Sequence, residues 1–223
     1  MSLDIDLGGG AFLIYGTPVF REVMPDAAPF CDALHRIVLA HEKSRPELRT
    51  GGRSRSNQGG WRSDPDLFKW PEPEIAMLRG RVEDSLNRVM QLAVAGQPGR
   101  RVETEFGLAG WANLNRHGDY NVLHSHAGSH WSGAFYVSMG EPDPEVQLNG
   151  AFELYDPRGA ATMGPVPGFN FGHTLPVQPE AGLMLIFPSF LLHSVHPFRG
   201  KGERISIAFN AQIRRTETRA VSD

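Results

Sequence analysis

His124 and His126 are separated by one residue, and His193 follows far downstream. On a strand, residues at i and i+2 project to the same side. The pair therefore sets two imidazoles side by side, as the ligands of a single metal ion must be. His193 is the best candidate for a third ligand. Arg204 comes next, with Ser206 beyond it. Arg204 and Ser206 share a strand face with Ala208 and Asn210, while Ile205, Ile207 and Phe209 form the opposite, core-directed face. One face thus carries a cationic fork and a hydroxyl. Arginine grips a carboxylate with two parallel hydrogen bonds, and a serine adds another. The order predicts that the strands bearing His193 and Arg204 are neighbours, so that one small diacid bridges metal and cation. A surface ion pair between Arg204 and Glu203 is the competing use of that arginine, but adjacent strand residues point apart.

Nine histidines are present, and most must be bystanders. His35 and His41 fall in a helical pattern, and His117 precedes a turn at Gly118-Asp119. His173 lies in a Gly/Pro-rich loop. His196 stands three residues from His193 and so faces away from it on a strand. Asp156, in the turn Tyr155-Asp156-Pro157-Arg158, is a carboxylate that could swing in as a ligand; alternatively, His126 stands off the metal with a water in its place. A second use of Asp156 is to orient Arg158 or cap the turn.

The elements that must position these residues follow from periodicity. The run from Ala11 to Val19 reads as a strand. Asp26 is placed to cap a helix reaching about Lys43, with Phe30, Leu34, Ile37 and Val38 at helical spacing. A second helix spans Pro73 to Ala95, with Ile75, Leu78, Val82, Leu86 and Val89 as its core stripe. Residues 45–66 are polar and Gly-rich. They read as a solvated loop, including the basic cluster from Arg49 to Arg62. After Arg101, short strand-like runs alternate with turns: 102–108, 110–116, 121–126, 132–139, 151–155, 183–187, 192–198 and 205–213. Leu183 to Phe187 is apolar without alternation and suits a strand buried on both faces. Helices followed by many short strands give an α+β class, mainly β, with an antiparallel jelly roll padded outside by two helices. One domain is expected over 1–223, with an N-terminal strand and helices over 1–100 and a jelly-roll core over 101–223.

Composition narrows the function. With 22 Lys+Arg against 25 Asp+Glu, the net charge of −3 gives no footprint for nucleic acid. Cys31 is the single cysteine, so no internal disulfide forms. The longest apolar run, Gly182 to Pro188, is too short for a membrane span. The first ten residues hold two aspartates and no basic stretch, so a cytoplasmic location is expected.

Four segments carry a resemblance. They are Trp111 to Val137, Phe152 to Arg158, Phe187 to Pro197 and Gly202 to Asn210. Tyr15 to Phe20 and Gly59 to Phe68 add to it. The chain resembles the 2-oxoglutarate/Fe(II)-dependent oxygenase superfamily, and within it a group whose substrates are unassigned. The resemblance implies a double-stranded β-helix, Fe(II) on His124, His126 and His193, and 2-oxoglutarate as co-substrate on Arg204 and Ser206. It also implies co-substrate contacts from Asn113 and Asn115. The substrate it implies is a small molecule or a protein side chain. One departure matters: most of the superfamily has a carboxylate where this chain has His126. Three neutral imidazoles leave the iron more positive. A three-histidine cupin-like dioxygenase needing no 2-oxoglutarate, or a metal-bearing binding module without catalysis, would share the fold but would have no use for Arg204 and Ser206.

Overall fold

A computed structural model describes residues 16–49, 56–158 and 173–220. The element order is β1 (Phe20–Val23), α1 (Ala28–Ser44), β2 (Asn57–Gln58), β3 (Trp61–Arg62), α2 (Pro73–Met90), β4 (Arg100–Asn115), β5 (Tyr120–His124), β6 (Trp131–Pro142), β7 (Phe152–Tyr155), β8 (Thr174–Val177), β9 (Leu183–Pro188), β10 (His193–Val195) and β11 (Gly200–Ala220). The strands form a six-stranded sheet, β1-β9-β6-β11-β4-β3, and a five-stranded sheet, β2-β5-β10-β7-β8. Every pairing between these strands is antiparallel. This is the expected double-stranded β-helix, mainly β with two helices outside.

Two apolar layers result. Behind the six-stranded sheet, Phe30, Leu34 and Val38 of α1 and Ile75, Leu78, Val82 and Leu86 of α2 pack on Ile205, Ile207, Phe209, Leu114 and Phe135. The alternation of β11 dictates this, because its isoleucines and Phe209 all fall on the helix side. A smaller layer, with Ala134, Tyr136, Phe152, Leu154, Leu185 and Phe187, lies between the sheets. Strand β9 is buried at every residue and contributes to both layers.

The sequence reading needs several corrections. The strand expected over Ala11 to Val19 has residues 11–15 outside the described set, and the observed strand is Phe20–Val23. Asp26 does not cap α1. It adopts a positive φ of 49° in the preceding turn, and Ala27 holds the cap position. Helix α1 ends where Pro46 disfavours helical geometry at Arg45. The two runs 102–108 and 110–116 are one continuous strand, β4, paired along its length with β11. Residues 57–58 and 61–62, read as solvated loop, are strands β2 and β3. The strands of His193 and Arg204 are not neighbours: β10 and β11 belong to opposite sheets. A diacid between them would cross the barrel interior rather than lie along one sheet.

Candidate metal centre and co-substrate pocket

His124 ends β5 and His193 begins β10, and the two are direct partners across that ladder. Their ring centroids lie 4.3 Å apart. Each Nδ1 donates to the carbonyl two residues earlier, His124 to Val122 at 2.7 Å and His193 to Leu191 at 2.9 Å. That fixes the tautomer and leaves each Nε2 lone pair as the ligand atom. His126 lies past the end of β5, so strand period alone does not aim it. Its backbone N–H donates to Ser189 O at 3.0 Å, which pins it beside the β9–β10 turn. Its ring is 5.0 Å from that of His124 and 5.1 Å from that of His193. The ligand atoms of all three lie within 4.8 Å of one another, close enough for a single ion to gather.

Burial keeps these rings neutral. It pulls His193 down to about 3 and His126 to about 4, and lowers His124 as well. Neutral imidazole is the metal-binding form. Phe152 and Phe187 pack on His193 at 5.3 and 4.9 Å between centroids, supplying the apolar wall that causes the shift.

The facing wall is built by one rung of the six-stranded sheet. Arg62 pairs with Asn113, Asn113 with Ser206, and Ser206 with Tyr136. Arg204 stands two residues from Ser206 on the same face and is 1% exposed. Its Nε donates to Gly150 O at 2.9 Å, its guanidinium lies 5.5 Å from the Tyr136 ring centroid and interacts with the Tyr136 hydroxyl, and its Nη2 has no hydrogen-bond partner among the described residues. A fully buried cation with an unmatched donor is costly unless an acceptor arrives. Burial also raises the Tyr136 hydroxyl to about 12, so it remains a donor. Between the walls is a pocket of about 550 Å³ including its mouth. It is lined by the three histidines, Arg62, Trp111, Asn113, Tyr136, Arg204 and Ser206 among others, with no Asp or Glu among the described residues that line it. The chemistry of this donor set suits a divalent ion on one wall and a small carboxylate on the other.

The other sequence candidates divide. Asn113 lines the pocket with its Oδ1 unpaired. Asn115 is fully buried opposite Arg204, with both amide atoms unpaired, and does not line the pocket. Asp156 is held by Arg158 through contacts of 2.8 and 2.6 Å and stands outside the three-histidine cluster. His196 turns away to Glu153 at 2.8 Å, and Glu203 pairs with Arg116 at 3.3 Å rather than with Arg204. Arg62, Trp111 and Phe152 were not anticipated as site residues. Arg62 enters only through β3, a two-residue strand with no periodicity to read.

Residues 109–210 match the family model described as "Putative 2OG-Fe(II) oxygenase". That segment, just under half of the chain, is similar to the 2OG-Fe(II) oxygenases. The match and the three-histidine cluster together indicate an oxidoreductase with Fe(II) as cofactor and 2-oxoglutarate as co-substrate. Solved structures share the fold at low identity. A prolyl-4-hydroxylase from Pseudomonas putida superposes with a TM-score of 0.60 at 16% identity, over 88% of this chain and 93% of that one. A Trichoplax adhaerens prolyl hydroxylase, in complex with a hypoxia inducible factor peptide fragment, gives 0.56 at 12%, over 88% and 83%. HygX from Streptomyces hygroscopicus, with nickel and 2-oxoglutarate bound, gives 0.53 at 16%, over 88% and 83%. No curated protein matches the sequence. No helix among the described residues is long and apolar enough to cross a membrane.

Proposed function

We propose that this oxygenase hydroxylates a C–H bond of a small molecule or a protein side chain. In this reading His124, His126 and His193 hold Fe(II), and Arg204 with Ser206 holds the distal carboxylate of 2-oxoglutarate. When bound, metal and co-substrate supply the oxidising power: 2-oxoglutarate and O2 yield succinate and CO2 as the substrate gains one oxygen atom. The chain's own residues do the placing. Arg204 offers its unmatched Nη2 to the carboxylate, and Gly150 O keeps the fork from turning. Tyr136 and Ser206 stand on either side of the same rung to donate further hydrogen bonds. Phe152 and Phe187 keep the metal side dry.

The observation that carries this reading is Arg204, a buried cation with an empty donor position facing three neutral imidazoles across one pocket. Anaerobic calorimetry with Mn(II)-loaded protein tests it. The wild type should bind 2-oxoglutarate. Arg204→Ala should bind it about 10- to 100-fold more weakly, the worth of a charge-assisted pair, with Mn(II) affinity preserved. A wild type that binds metal yet shows no 2-oxoglutarate affinity at millimolar concentration would sink the reading.

A further inference from the structure

Arg62 is the charged residue of the pocket that the oxygenase reading leaves without a task. It lies on the edge strand β3, opposite Asn113, and lines the pocket together with the three histidines. Its guanidinium lies over the Trp111 ring, 4.4 Å from the centroid, and Trp111 in turn packs on His126 at 5.6 Å. The indole face holds the guanidinium by a cation–π contact, which uses none of its N–H donors and leaves them for an acceptor. Among the described residues the Arg62 side chain makes no hydrogen bond or ion pair; its backbone belongs to the β3–β4 ladder. The acid that feels its charge, Asp64, is engaged by Arg45 at 3.3 Å.

Charge balance gives this position a direction. Bound Fe(II) and the dianion 2-oxoglutarate cancel, and among the described residues no Asp or Glu lines the pocket. The guanidinium charges of Arg62 and Arg204 then stand unbalanced in a partly desolvated space, where charges interact strongly. The co-substrate does not occupy both arginines. β4 separates β3 from β11, so the two arginines spring from strands about 10 Å apart. Arg204 is the deeper of the two and holds the distal carboxylate; the other end of 2-oxoglutarate belongs to the metal.

We propose that Arg62 binds an oxyanion, a carboxylate or a phosphate, carried by the prime substrate. This rests on the oxygenase reading above and adds a substrate class to it: an anionic molecule anchored on Arg62, with the carbon to be oxidised directed at the histidine cluster. A neutral substrate would leave Arg62 desolvated and unpaired, which selects against it.

The test uses the full chain loaded with Mn(II) and 2-oxoglutarate under anaerobic conditions, so that no turnover occurs. Acetate, inorganic phosphate and the neutral isostere acetamide are titrated at constant ionic strength, with tryptophan fluorescence and calorimetry as readouts. One of the two anions should bind at least tenfold more tightly than acetamide, and the tighter of the two names the oxyanion. Arg62→Gln should lose that binding by at least tenfold. Arg62→Lys, which keeps the charge but not the fork, should fall between. Mn(II) and 2-oxoglutarate affinities should stay within threefold in both variants. Anion binding that is equal in wild type and Arg62→Gln would place the anion on the metal and overturn the proposal, as would no preference over acetamide. A loss of 2-oxoglutarate affinity in Arg62→Gln would overturn it too, by giving Arg62 to the co-substrate. If the wild type fails to bind 2-oxoglutarate at the outset, the oxygenase reading itself has failed, and that result is separate from the others. Should Arg62→Gln not fold, the comparison of Arg62→Lys with wild type decides alone.

Discussion

His124 and His193 are cross-strand partners, and each ring is locked by a hydrogen bond to the carbonyl two residues before it. Two candidate ligand atoms are therefore placed by one ladder and two backbone carbonyls. His126 completes the group from a loop pinned by Ser189.

Removing any one of the three should disable metal binding. His124→Ala, His126→Ala and His193→Ala should each weaken Mn(II) binding by more than the roughly 10–100-fold that loss of an outer partner costs. His196→Ala, whose ring turns to Glu153, should leave it unchanged. Electron paramagnetic resonance of free Mn(II) measures this. Equal effects from His196 and His193 would refute the assignment.

Acid should destabilise the metal-free protein. Burial depresses the native values of His193 to about 3 and His126 to about 4, from an ordinary 6.5. Above about pH 6.5 neither state binds the proton and the shift has no effect. As pH falls toward 4, the unfolded chain takes up protons that the native state refuses, so stability drops. Each such histidine accounts for about 1.4 kcal/mol per pH unit in that window. Thermal unfolding of apoprotein between pH 7 and 4.5 should show the decline, and His193→Gln should flatten it. An identical slope in that variant would count against the buried-histidine explanation.

Gly150 should not tolerate a side chain. Its φ is +61°, and an added Cβ would lie 3.2 Å from Arg204 Cδ and 3.3 Å from its Nε. Gly150→Ala should cost about 1 kcal/mol or more in backbone strain and disturb the arginine that its carbonyl holds. Denaturant unfolding and 2-oxoglutarate calorimetry should both change. A loss of stability with co-substrate affinity intact would show that Arg204 does not depend on this contact.

Ile207 separates folding from function. It is fully buried on the helix side of β11, with its back to Arg204 and Ser206. Ile207→Ala should lose about 2–5 kcal/mol of stability. Below the unfolding transition, its 2-oxoglutarate affinity should match wild type. A weakened affinity in the folded variant would mean that the helix-side layer tunes the pocket.

The sequence made the period-two information legible. Arg204, Ser206 and the isoleucines between them could be assigned to opposite faces of β11, and the histidine cluster was readable from His124, His126 and His193. What could not be read were relations set by loops and by very short strands. His126 is aimed by a hydrogen bond to Ser189, more than sixty residues away in sequence. Arg62 sits on a two-residue strand within a basic, Gly-rich stretch whose composition matches a solvated loop. That β10 and β11 lie in opposite sheets is decided by the winding of the jelly roll, which periodicity does not report.

The two walls of the pocket do not rest on equal foundations. Helices back the six-stranded sheet that carries Arg204, whereas β5, β7 and β10 are strands of three to five residues bound to the rest mainly through the thin inner layer. Amide hydrogen exchange should accordingly be graded, with β5 and β10 opening locally while the centres of β4 and β11 exchange only on global unfolding. An ion gathered by His124 and His193 ties together the weaker half, so ligation should slow exchange there first. On this expectation the ion would complete the barrel: the helix-backed wall would hold from the chain alone, and the other would stiffen on loading.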